Sequence, residues 1–190
     1  MDKYFFVKSI LRHLSNGLTF KKICAFFLKI AAVVVILAGL VGWIYAWKAI
    51  FTSDVTGIIP GGIGVQILAV VFLYMVVHNL MIRAADVEKN ADSGYTVMSI
   101  TSIILKLVGE IYAWFLAFAG IAGGLFAWIS GKPLSLLFNE TAPFIPVLGE
   151  ATFLGGVTAI LAGAAWAFVS LVAFYFLSEL VSAVIHIAKR

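Results

Sequence analysis

Charge is what this sequence has least of. Asp, Glu, Lys and Arg supply only 12% of its 190 residues, against about 25% in a soluble domain. With 63% hydrophobic residues and a mean hydropathy of +1.11, the chain has too little polar surface to cover a core in water, so its solvent is lipid. Cysteine is almost absent too. Cys24 stands alone, which excludes an intramolecular disulfide, a thiolate zinc site and covalent haem attachment, and it reads as a small apolar packing residue. The sequence also lacks a Ser/His/Asp set, an HExxH pair and a phosphate-binding glycine loop, so no enzymatic activity and no cofactor is expected.

What the sequence does have is long apolar runs. A bilayer core needs about 20 apolar residues per helix, and four such spans are present. The first is Ile30 to Phe51 and the second Gly62 to Ile82. The third lies within Tyr95 to Ser130 and the fourth within Thr152 to Ile187. The four prolines (Pro60, Pro133, Pro143 and Pro146) all fall between spans, where a missing N–H breaks no helix. The expected fold is an all-α membrane protein of four transmembrane helices, built as two tandem helical hairpins and preceded by an amphipathic interfacial helix. In that plan residues 1–18 form a basic arm and residues 19–190 a four-helix bundle.

Basic residues set the orientation. Lys3, Lys8, Arg12, Lys21, Lys22 and Lys29 precede span 1, Arg83 and Lys89 follow span 2, and Lys189 and Arg190 follow span 4. Only Lys48 and Lys132 lie on the other side. The positive-inside rule puts both termini in the cytoplasm of a multi-pass cell-membrane (inner or plasma membrane) protein. The net charge of +4 therefore reflects topology and not a nucleic-acid groove. Span 1 reads as a retained anchor, because the basic region runs to Lys29 and no small-x-small cleavage site follows a short apolar core.

In the arm, Tyr4, Val7, Ile10, Leu11 and Leu14 share one helical face, with Lys8, Ser9, Arg12 and His13 opposite; Phe5 and Lys3 break the split. Such a helix lies at the inner interface with Lys3, Lys8, Arg12, Lys21 and Lys22 near anionic headgroups.

The chain also repeats itself. Residues 40–47 read LVGWIYAW and residues 107–114 read LVGEIYAW, differing only at Trp43 and Glu110. Ile59-Pro60 is echoed by Ile145-Pro146, and Tyr74 and His78 by Tyr175 and Glu179. The expectation is a duplicated hairpin, about 24–90 and about 94–190, with an extra outer segment at about 119–150. Two readings stay open for residues 119–138: a separate outer segment, or the continuation of helix 3.

Two stripes of small residues predict close helix packing: Ala113, Ala117, Gly120 and Gly124 in span 3, and Gly155, Ala159, Gly163 and Ala167 in span 4. Three intramembrane charges need partners or a task. Lys106 and Glu110 are i,i+4 neighbours on the span 3 stripe, and Glu179 continues the span 4 stripe in steps of four through Leu171 and Tyr175, so a polar seam of Lys106, Glu110 and Glu179 is expected. His78 and His186 as haem ligands are disfavoured by their different depths. Asn139-Glu140-Thr141 is a glycosylation sequon on the outer side.

These features favour a non-enzymatic scaffold or subunit of a membrane assembly, with membrane lipid and either a homo-oligomer or other membrane subunits as partners. The alternatives are a small oligomeric channel or transporter using the Lys/Glu seam and, less favoured, a haem-binding electron-transfer subunit.

Overall fold

The computed structural model describes residues 18–52, 57–90, 95–134 and 151–188. Four helices account for nearly all of them: α1 Leu18–Phe51, α2 Ile58–Lys89, α3 Thr96–Ser130 and α4 Phe153–Ala188. All four are long and apolar enough to cross a membrane. The arm at residues 1–17, with Lys3, Lys8 and Arg12, lies outside the described residues, as does the sequon.

Each helix is 32 to 36 residues long. At about 1.5 Å per residue that is roughly 50 Å, well beyond the ~30 Å hydrocarbon core. The helices therefore tilt or project past the core. Helix ends explain two details. Pro60, placed between spans by hydropathy, sits in the first turn of α2, where its missing N–H would have had no intrahelical partner. Gly131 stops α3 in the left-handed conformation (φ 63°), and its N–H reaches Ala127 O, the usual use of glycine at a helix C-terminus.

Residues 119–130 complete α3. An outer segment beginning at about 119 is thereby corrected: any such segment starts after Ser130. The reason is local, since no charge or proline interrupts residues 111–130 and Gly131 is the first residue there to leave helical backbone.

The helices form an antiparallel row. α1 packs on α2, α2 on α3 and α3 on α4, while α1 touches α3 only marginally and neither α1 nor α2 brings its backbone against α4. α3 is the centre: half of its most apolar window is buried, against 11% for α1. Apolar clusters tie the row together. Ala32, Val76, Leu80 and Leu107 join α1, α2 and α3; Val65, Ala122 and Phe126 join α2 to α3; Ala113, Leu116 and Ala167 join α3 to α4. Large side chains such as Leu40, Ile44, Leu161 and Phe168 point outward, as suits a protein solvated by acyl chains.

The end holding the start of α1 and the finish of α4 is stitched by polar contacts. Lys21 Nζ donates to Asn90 O (2.6 Å), Asn90 Nδ2 to Ser99 Oγ (2.6 Å) and Tyr95 Oη to Ala188 O (3.1 Å). Lys29 pairs with Glu88 at 2.6 Å on the surface. Lys21, read from the sequence as a headgroup-facing cation, is instead 4% exposed and serves the carbonyl just after α2, where a cation also favours the helix dipole. Lys22 is exposed.

Candidate functional site

The α3–α4 seam is built from small residues. Gly155, Ala159, Gly163 and Ala167 are buried on α4, and Ala113, Gly120 and Gly124 are buried on α3, with Ala117 half-buried. Gly120 and Gly163 face each other so closely that a Cβ on Gly120 would stand 2.8 Å from Gly163 Cα, and one on Gly163 would stand 2.7 Å from Gly120 Cα. The backbones touch directly. In lipid, where burying apolar groups gains little, such close van der Waals contact is what holds helices together.

Toward the stitched end the seam turns polar. Ser102 Oγ and Ser178 Oγ are 2.7 Å apart, Ser178 Oγ also donates to Ser102 O (3.0 Å), and Ser182 Oγ lies 3.1 Å from Ser102 Oγ. Ser102 and Ser178 are buried. Sequence reading passed over these serines, though Ser178 and Ser182 form an i,i+4 pair that could have marked the seam.

Next to the serines lies an ion-pair cluster drawn from three helices. Arg83 of α2 holds the Glu110 carboxylate of α3 with two donors, Nε to Oε2 (3.1 Å) and Nη2 to Oε1. Tyr175 of α4 donates its hydroxyl to Glu110 Oε1 (2.6 Å) and sits 3.4 Å from Arg83 Nη2. Arg83 Nη1 also reaches Asp86 at 2.8 Å. The Arg83 and Glu110 side chains are 18% and 13% exposed, so each charge is largely removed from water and is compensated by the other. A two-donor guanidinium–carboxylate pair is directional as well as strong. Here it links α2 to α3, and Tyr175 carries the contact on to α4, whose backbone does not meet that of α2.

The three charges expected to share one seam separate. Glu110 enters the cluster, but its cation is Arg83 and not Lys106. Lys106 Nζ instead lies 5.4 Å from the centroid of the Tyr175 ring, within cation–π range. Glu179 is exposed and makes no hydrogen bond or ion pair among the described residues. The reason is helical period: steps of four drift about 40° per step at 3.6 residues per turn. Following the stripe from Ala167, Glu179 lies about 120° away, whereas Ser178 lies within about 20°. Arg83 escaped notice because its position at the end of an apolar run looked like a boundary marker.

Beside the cluster, α2 and α4 leave a groove of about 410 Å³ floored by Ala113 and Ala117, with Asn79 on one wall. Asn79 Nδ2 is buried there without a partner. The histidines are apart: His78 stacks on Tyr74, and His186 is exposed in the last turn of α4, on a helix that does not pack against α2. Among the described residues no group of three or more His, Cys, Asp and Glu side chains is placed to hold a metal ion. No family model, curated protein or solved structure matches this chain.

Proposed function

We propose that this protein is a non-enzymatic subunit of a membrane assembly, with its charged cluster acting as a structural lock. The observation that carries the reading is the open row of helices. Among the described residues α1 and α4 are the edges of the row, each packed along one side only, and α1 buries little of its own apolar surface there. Such edges suit contact with further transmembrane helices, from a second copy or from another subunit. The lock is static in design: Glu110 is held by two donors of Arg83 and by Tyr175. Three hydrogen bonds occupy most of the carboxylate's roughly four lone-pair sites, which suits a fixed pair better than a proton or ion relay, and Glu179 is not at hand to extend one.

Orientation follows from charge. Lys29, Arg83 and Lys106 lie toward the stitched end, which carries the start of α1. By the positive-inside rule this end and both termini are cytoplasmic, and the two tandem hairpins run parallel, each starting from the cytoplasm.

The test is cysteine cross-linking in native membranes. With Cys24 replaced by Ala, single cysteines at Leu40, Val41, Ile44 and Tyr45 scan the outer face of α1, and Leu161 and Phe168 that of α4. Cross-links to a second copy or to one other protein, recurring with helical period, support the assembly reading. Uniform absence of cross-links on both edges contradicts it.

A further inference from the structure

Two opposite charges on one flank of the helix row are left without a counter-ion. Lys106 Nζ lies 5.4 Å from the centre of the Tyr175 ring and makes no ion pair among the described residues, and exposed Glu179 makes none either. Glu179 follows Tyr175 by one turn of α4, rotated only about 40° from it, so both charges flank the same ring. They do not close on each other. An unpaired charge at membrane depth is costly, and here there are two of opposite sign.

Their depth is shared. Lys106 stands ten residues inside the start of α3, and Glu179 nine residues inside the finish of α4, both counted from the stitched end. Ten residues rise about 15 Å, and a helix of roughly 50 Å centred on a ~30 Å core projects about 10 Å at each end. These Cα atoms therefore lie about 5 Å inside the core edge. The Lys106 stem points back toward the start of α3, as helix side chains do, which lifts its ammonium to headgroup level.

Below the two charges runs the groove between α2 and α4. Glu110 and Tyr175 bound its mouth, and its floor of Ala113 and Ala117 continues inward beside Trp114 and Leu171. Asn79, on the α2 wall, is again ten residues from the stitched end of its helix. Its Nδ2 is a buried donor without an acceptor.

We infer that this flank binds a phospholipid with a primary-amine headgroup. The phosphate pairs with Lys106, the ammonium donates to Glu179, an ester carbonyl accepts from Asn79 Nδ2, and an acyl chain lies on the alanine floor. The polarity of each partner selects this occupant. A carboxylate accepts and a lysine ammonium donates, so the ligand carries an anion and a donor cation side by side. A choline headgroup has no N–H to give Glu179. A glycerol headgroup brings a phosphate for Lys106 but no cation for Glu179. The Arg83–Glu110 pair stays closed throughout, and the site does not depend on the assembly reading.

The test gives the full chain, stripped of lipid in detergent, equimolar palmitoyl-oleoyl phospholipids with ethanolamine, choline and glycerol headgroups, and reads bound lipid by native mass spectrometry. The expected result is a retained ethanolamine lipid, favoured on the order of tenfold over each of the others, as one charge-assisted hydrogen bond supplies. Glu179→Lys should move the preference to the anionic glycerol form. It should leave the size-exclusion profile unchanged, because the exposed Glu179 side chain holds no contact within the fold. Lys106→Gln should weaken retention of all three lipids. Equal retention of the three headgroups, which is annular lipid only, would overturn the inference. So would a preference of the parent chain for the glycerol form, or an ethanolamine preference that survives Glu179→Lys.

Discussion

Glu110 shows how a residue's meaning changes with its neighbours. As one letter in LVGEIYAW it is an isolated carboxylate in an apolar run. In the structure it is the hub of contacts from Arg83 and Tyr175. Glu110→Gln leaves Arg83 largely buried with half its compensation, and hydrogen bonds to charged groups contribute about 1.5–3 kcal/mol each. The expected outcome is a loss of stability of that order in detergent, read by thermal unfolding. Tyr175→Phe, which removes a single hydrogen bond to the carboxylate and leaves the ion pair in place, should cost about 1.5 kcal/mol, the low end of that range. Equal stability of Glu110→Gln and the parent would show that the pair is not a lock. Gln66 gives the opposite sign. Its Oε1 is buried without a donor, so Gln66→Leu should raise the melting temperature in detergent.

At the scale of elements, the decisive comparison is between glycines. Gly163→Leu drives a side chain into the backbone of α3, where Gly120 Cα and Leu116 O stand within 3 Å of the new Cβ. It should separate α3 from α4 and abolish the folded species on size exclusion. Ser102→Ala acts on the same seam more gently, at about 0.6 kcal/mol, the average for interhelical hydrogen bonds in membrane proteins. Most of the four helices was legible in the sequence, because a span of apolar residues is a strong signal and each backbone group must be satisfied within its own helix. The small stripes were legible for the same reason of simple periodicity. The polar cluster was legible only in part. Glu110 was visible as an intramembrane charge and was paired with Lys106, but its cation Arg83 lay on a different span, and sequence spacing carries no information about which helices become neighbours. Glu179 was misplaced on the seam by extending an i+4 stripe too far, and the serines that occupy that face were missed. The full length of α3 was undecided because the repeat, carried over from span 1, ends its copy near Phe118, whereas the helix runs on to Ser130.

At the scale of the molecule, the described residues form a row of four helices and not a closed ring, with α3 enclosed and α1 and α4 at the edges. In water such a shape would be a defect, since wide apolar faces stay uncovered; in a bilayer, lipid or other helices cover them. Covering by other helices is what a subunit of a membrane assembly requires. It is tested most directly by native mass spectrometry of the protein extracted gently from its own membrane. The expected species is a defined multiple of the 20.5 kDa chain, or the chain together with a fixed partner subunit, that survives extraction and falls apart only under harsher detergent. A single chain in every gentle detergent, carrying at most bound lipid, would contradict it.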